Sequence, residues 1–138
     1  MNKLDQLKAM TTVVADTGDI GSIRRYQPVD ATTNPTLLLK AAQQPDCQPM
    51  LREAIKWASD NGEEGEGFLQ KCTEKFTISI GKDISQIVPG RVSTEVDARL
   101  SFDTQAMIDK ARQLIDLYAE AGVCLLYTSD AADERVRV

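Results

Sequence analysis

Ala31-Thr32-Thr33-Asn34-Pro35 is a short polar strand that runs directly into a helix start. Thr32 and Thr33 are β-branched and suit an extended backbone. Asn34 followed by Pro35 reads as an N-cap with proline at the first helical position, where no amide donor is needed. The strand end is thereby aimed at a helix N-terminus. In βα-repeat folds ligands are held at that junction, because strand-end side chains and free helix amides converge on one face. Asn34 could equally do no more than cap its helix, and these five residues do not separate the two roles. Two further junctions of the same kind in the chain bear on the choice.

The first lies upstream. Thr12-Val13-Val14-Ala15-Asp16-Thr17-Gly18-Asp19 is an apolar strand that turns polar at its end and breaks at Gly18, after which Asp19 can cap a short helix through Ile20, Ile23, Arg24 and Tyr26. A leading helix over residues 3–10 precedes it, with Leu4, Leu7 and Met10 at helical spacing. The second junction lies downstream. Pro89-Gly90 marks a turn, and Arg91 to Asp97 reads as a third strand in which Val92, Thr94 and Val96 point one way and Ser93, Glu95 and Asp97 the other.

Helices fill the intervals. Thr36 to Gln43 and Gln48 to Ser59 each carry an apolar stripe, and Glu63 to Gly67 reads as a flexible acidic turn. From Phe68 to Val88, Leu69, Cys72, Phe76, Ile80, Ile84 and Ile87 recur every three or four residues, which predicts one helix interrupted or kinked at Gly81. The alternation of Phe76, Ile78 and Ile80 with Thr77 and Ser79 would instead suit a strand. Asp103 caps a final amphipathic helix to Glu120, with Met107, Ile108, Ala111, Leu114, Ile115 and Tyr118 inward and Ala121-Gly122 as its stop. Strands separated by crossover helices call for a parallel sheet, hence an α/β architecture. Pattern alone leaves an open doubly wound sheet and a (β/α) barrel both available. No GxGxxG or P-loop follows any strand, which weighs against a nucleotide-binding sheet.

Composition narrows the function. The 138 residues are 42% hydrophobic and 27% charged, with a net charge of −5, as in one globular domain or part of a larger one. The negative charge argues against nucleic acid or an anionic membrane as partner, since both need a basic surface. Cys47, Cys72 and Cys124 are an odd number without CxxC spacing, and read as small hydrophobes in a reducing compartment. The first ten residues lack the continuous apolar core of a signal peptide, and no apolar run reaches membrane-spanning length, so a cytoplasmic location is expected. The absence of histidine removes His-dependent triads and His-bearing metal sites.

Asp16, Asn34 and Glu95 each fall near the C-terminal end of a predicted strand, and in a parallel barrel those ends share one mouth. With all three inward, Thr12, Val14, Asp16, Asp30, Thr32, Asn34, Ser93, Glu95 and Asp97 would line a polar interior. Carboxylates there can shuttle protons while an amide holds a substrate hydroxyl. A hard-cation site built from Asp16, Glu95 and Asp97 is the chemical rival. A non-catalytic fragment, in which the same residues only cap helices and solvate loops, is the third reading.

The stretches Thr12 to Asp19, Asp30 to Pro35 and Val88 to Leu100 together resemble transaldolase, in the same order and spacing, with similarity from the N-terminus to about Val123. The resemblance implies about three βα units from the N-terminal part of a (β/α)8 TIM barrel of the class I aldolase type, working without metal or organic cofactor. It implies transfer of a dihydroxyacetone unit between sugar phosphates, from sedoheptulose 7-phosphate to glyceraldehyde 3-phosphate, in the non-oxidative pentose phosphate pathway. By resemblance Asp16 is the acid/base for carbon–carbon cleavage, and Glu95 the carboxylate acting through a water in Schiff-base formation and hydrolysis. Asn34 would be the amide holding the dihydroxyacetone hydroxyls. Thr33, its neighbour, is a weaker substrate-binding candidate, for which an outward packing role fits better.

The resemblance also implies a lysine nucleophile on a fourth strand, which this chain does not reach. From Cys124 the family pattern gives way to Leu125-Leu126-Tyr127-Thr128-Ser129-Asp130-Ala131-Ala132-Asp133-Glu134, which resembles translated adapter read-through. A genuine strand over residues 123–128 is the alternative. Three βα units cannot close a barrel, so the chain as written is expected to be inactive and poorly stable, while a homodimer is open to the full-length protein.

Overall fold

A computed structural model of the chain describes residues 2–62 and 64–123, so the expectations for residues 124–138 lie outside the described residues. The element order is α1 (Lys3–Met10), β1 (Val14–Asp16), α2 (Ile20–Tyr26), β2 (Asp30–Thr33), α3 (Pro35–Ala42), a 3-10 turn (Pro45–Cys47) and α4 (Gln48–Asp60). There follow α5 (Gly65–Ser85), β3 (Val92–Thr94), a second 3-10 turn (Ala98–Leu100) and α6 (Thr104–Glu120). Among the described residues no helix is long and apolar enough to cross a membrane.

The caps explain why these helices begin where they do. Asp19 accepts from the Ser22 amide at 3.1 Å and the Ser22 hydroxyl at 2.7 Å. Asn34 accepts from the Leu37 amide at 3.0 Å with Pro35 at the first helical position, and Asp103 accepts from the Ala106 amide at 2.9 Å. Each cap satisfies an amide that the first turn leaves without an intrahelical partner.

The strands pair in parallel in the order β1-β2-β3. Val14 stands opposite Asp30, Asp16 opposite Thr32, and Thr32 opposite Ser93. Strand alternation then sorts the sheet into two faces. Ala31 and Thr33 point toward the helices and are buried, whereas Val14, Asp16 and Ser93 point the other way and are exposed. The core lies on the helix side: Ile23, Ala31, Leu38, Ala41, Ala54, Phe76, Ile80 and Ile84 form one cluster. Ile80 and Ile84 are fully buried, and each contributes about 2–3 kcal/mol by leaving water. Ile78, Leu114 and Tyr118 form a second cluster between α5 and α6.

Four expectations are corrected. Helix α5 begins at Gly65, three residues before Phe68, and takes in most of the stretch expected to be an acidic turn. It runs without interruption through Gly81, and no strand forms at Phe76–Ile80, because Phe76, Ile80 and Ile84 lie on one helical stripe against the sheet. Strand β3 is limited to Val92–Thr94, since Asp97 leaves the extended path to cap the 3-10 turn through the Arg99 amide. Met107 and Ile108 are exposed, the inward face of α6 among the described residues being set by Leu114 and Tyr118.

Two glycines allow close approach. At Gly18 a methyl group would lie 2.9 Å from the Leu37 carbonyl oxygen, so the turn after β1 can lie directly on α3 only without a side chain. At Gly81 a methyl group would collide with the Tyr118 hydroxyl, so the Tyr118 side chain of α6 fits over α5 at the missing side chain.

Candidate active site

The C-terminal strand ends carry the candidate residues, and hydrogen bonds draw three side chains together. The Asp16 carboxylate accepts from the Thr32 hydroxyl at 2.9 Å and lies 3.5 Å from the Asn34 amide nitrogen. Asn34 caps its helix and also faces Asp16. Its Oδ1 is committed to the Leu37 amide at the start of α3, which turns Nδ2 toward Asp16 as a donor. The helix cap orients the amide for the rim.

Glu95 follows the last residue of β3. Thr33 pairs with Thr94 in the β2–β3 register, so Asn34 and Glu95 each stand one residue beyond the final pair. Both border a cavity of about 620 Å³, shared with Leu38, Glu74, Arg99 and Lys110. Thr33 also borders it but belongs to the opposite face from Asp16: it is 1% exposed, and its hydroxyl donates to the Ser93 carbonyl at 3.4 Å. Thr33 is thus buried on the helix side while bordering the cavity, and Thr32, in phase with Asp16, lies on the exposed face. Alternation alone carries that signal once the phase of Asp16 is fixed.

Asp97 borders the same cavity as Asn34 and Glu95, whereas Asp16 does not, and Arg99 occupies the Asp97 carboxylate. Its carboxylate receives the Arg99 amide at 2.9 Å and the guanidinium at 2.6 to 3.1 Å, an arrangement that holds the Asp97 carboxyl below its ordinary value, the Arg99 side-chain bonds first. The oxygen set Asp16, Glu95 and Asp97 is therefore not assembled. Among the described residues no group of three His, Cys, Asp or Glu side chains could hold a metal ion. All eight lysines of the sequence fall on helices: Lys3 and Lys8 on α1, Lys40 on α3, Lys56 on α4, Lys71, Lys75 and Lys82 on α5, and Lys110 on α6.

Sequence reasoning missed what lies behind the rim. Glu74 on α5 is 8% exposed and accepts from Lys110 at 2.5 Å, from Gln70 at 3.0 Å and from Gln113 at 3.0 Å. Lys110 and Gln113 lie 36 and 39 residues from Glu74, and no local pattern announces such a pairing. Nearer the sheet, the Tyr118 hydroxyl meets the Thr94 hydroxyl at 2.6 Å, and burial pushes the Tyr118 phenol up against a smaller opposing effect of that hydrogen bond.

Asp19, at the first junction, gives a pH prediction. The Ser22 hydroxyl, then the Ser22 amide, hold its carboxyl below the ordinary 3.8. A depressed folded-state value stabilises the fold fully above the unfolded value and is lost as pH falls through the lower, folded one. Asp19→Asn keeps a capping oxygen without the charge. It is expected to flatten the loss of stability below pH 3.8, read as urea midpoints from pH 6 to about pH 2.5. An unchanged slope would remove Asp19 from the acid response.

Parallel strands in consecutive order joined by helices, with carboxylates and an amide at one set of C-terminal ends, fit part of a (β/α) barrel. Comparison with known proteins narrows the class. Residues 13–125 match the family model described as Transaldolase/Fructose-6-phosphate aldolase, and the chain belongs to this family. It is 56% identical over 122 residues to a transaldolase of Aeromonas salmonicida (strain A449), covering 88% of this chain and 39% of that protein. To a transaldolase of Pseudoalteromonas atlantica it is 56% identical over 122 residues, and to one of Shewanella piezotolerans 55%, with 88% of this chain and 38% of each relative covered. The chain thus spans about two-fifths of the length of the curated relatives it matches. The family is one of TIM-barrel aldolases, and the three-stranded parallel sheet is consistent with part of such a barrel.

Proposed function

We propose that residues 1–123 are the N-terminal part of a cytoplasmic transaldolase. It would carry a dihydroxyacetone unit from sedoheptulose 7-phosphate to glyceraldehyde 3-phosphate through a lysine Schiff base, within the non-oxidative pentose phosphate pathway. The observation that supports this reading best is the Asp16, Thr32 and Asn34 cluster at the strand ends, with Glu95 one residue past the neighbouring strand.

The chemistry assigned to each residue follows from its placement. Cleavage next to an imine needs a base for the substrate hydroxyl proton, while the electrons of the breaking carbon–carbon bond move into the imine. Asp16 is exposed on the rim and held in place by Thr32, so it can take that proton and return it to the acceptor aldehyde. Asn34 offers an amide donor to the hydroxyls of the dihydroxyacetone unit. Glu95 works on the water that is lost in forming the imine and added in hydrolysing it. Thr33 serves the same site from behind by tying β2 to β3. The nucleophilic lysine belongs to a strand of the full-length protein after residue 123, since every lysine of this chain is on a helix. The carboxylate-rich metal-dependent lyase loses support with the turning of Asp97 to Arg99.

The test uses a completed barrel, in which residues 1–123 are joined to the remaining residues of the Aeromonas salmonicida relative. Incubated with sedoheptulose 7-phosphate and borohydride, the completed barrel is expected to trap a secondary amine on one lysine and to turn over with glyceraldehyde 3-phosphate. The 138-residue chain is expected to do neither. Trapping on a lysine of the short chain, or turnover of the completed barrel that a chelator abolishes, would overturn the reading.

A further inference from the structure

We propose that Tyr118 is a positioning residue for Glu95, acting through its hydrogen bond to the Thr94 hydroxyl at the exit of β3. The proposal rests on the assignment of Glu95 above. Thr94 is the last residue of β3 and is joined to Glu95 by one peptide bond, so whatever fixes Thr94 sets the direction in which Glu95 leaves the sheet. Two side-chain hydroxyls from different elements hold that exit. From β2, Thr33 donates to the Ser93 carbonyl; from α6, Tyr118 meets the Thr94 hydroxyl at 2.6 Å.

The route that Tyr118 takes is built into the fold. Its ring is 7% exposed and packs with Ile78 and Leu114, with Val96 from the segment after Glu95 against the same cluster. Its hydroxyl occupies the space left by the missing side chain of Gly81 on α5. A buried phenol needs a hydrogen-bond partner, and Thr94 supplies it at the one place where the strand passes into the rim. Thr94 is hydrogen-bonded to Tyr118 and Val96 packs against the same cluster, so both chain neighbours of Glu95 are held while its side chain borders the cavity at the strand ends. A carboxylate acting through a water depends on such aim, because small displacements of a proton-transfer group are costly.

In the completed barrel, Tyr118→Phe keeps the ring and removes the hydroxyl, Thr94→Val removes its partner, and Thr94→Ser restores a hydroxyl. Tyr118→Phe and Thr94→Val are each expected to lower kcat about tenfold with KM within about twofold, and the double variant to fall no further than either single one. Thr94→Ser is expected to recover most of the kcat that Thr94→Val loses. All four are compared at temperatures where their circular dichroism is that of the parent. Glu95→Gln, measured alongside, separates the two readings. If it is impaired while Tyr118→Phe keeps full kcat, the positioning role is overturned and the catalytic role of Glu95 stands. If Glu95→Gln turns over normally, both are overturned. Losses that add in the double variant would also overturn the coupling.

Discussion

Asp16→Asn in the completed barrel is expected to lower kcat about 10²–10³-fold without loss of fold. The asparagine oxygen can still accept from the Thr32 hydroxyl, so the side chain keeps its place, but it cannot take a proton from a substrate hydroxyl. Asp16 is exposed and on the face away from the core, so the urea midpoint is expected to shift by no more than the equivalent of about 0.5 kcal/mol. Steady-state rates with sedoheptulose 7-phosphate, read together with borohydride trapping, locate the defect. Imine formation is expected to persist while transfer fails, because the role proposed for Asp16 is at the carbon–carbon bond and not at the imine. Full turnover by the variant would remove Asp16 from the chemistry and favour the reading in which the strand-end residues only cap and solvate.

The largest effect on stability is expected from Lys110→Met. The Lys110 side chain is 14% exposed and that of Glu74 is 9% exposed, and the ammonium is the only positively charged partner that approaches Glu74 among its described hydrogen bonds. Methionine preserves most of the apolar stem, so the loss isolates the charge. Gln70 and Gln113 still donate to Glu74, but an unpaired carboxylate remains shielded from water, at a cost of about 3 kcal/mol. Adding Glu74→Gln to Lys110→Met is expected to restore about 1–2 kcal/mol, since two amides and a neutral acceptor leave no buried charge. Urea unfolding of the completed barrel measures both. Additive losses in the double variant would show that the pair is not coupled.

Much of the fold was legible because the punctuation is local. Asp19, Asn34-Pro35 and Asp103 mark helix starts that depend only on residues three positions away, and the helix boundaries follow them closely. The three-and-four spacing over α5 decided correctly against the strand, although Phe76 to Ile80 also alternates, because the stripe extends beyond five residues to Ile84. The start of α5 was hidden by Gly65 and Gly67, which signal a turn locally and were overridden by the helix that follows. Asp97 was misplaced for a similar reason: its alternation suited a strand, but Arg99 two residues on offers it five donors. The phase of Thr32 against Thr33 needed the pairing with Asp16, and the Glu74 and Lys110 pair needed the packing of α5 on α6. Neither is written in any window of neighbouring residues.

The two faces of the sheet have a consequence for how this sequence can change. Ala31 and Thr33 are sealed against the helices, while Asp16 and Ser93, on the other side of the same three short strands, touch no part of the core. Substitutions at successive positions along a strand are therefore subject to different selection, one set filtered by folding and the other by chemistry. The rim of such a scaffold could be re-specified for another substrate one side chain at a time, with little penalty in thermal tolerance. Coupling between the two sets runs through side chains such as Thr33, Thr94 and Asn34, which tie the strand ends to the buried face and the helices.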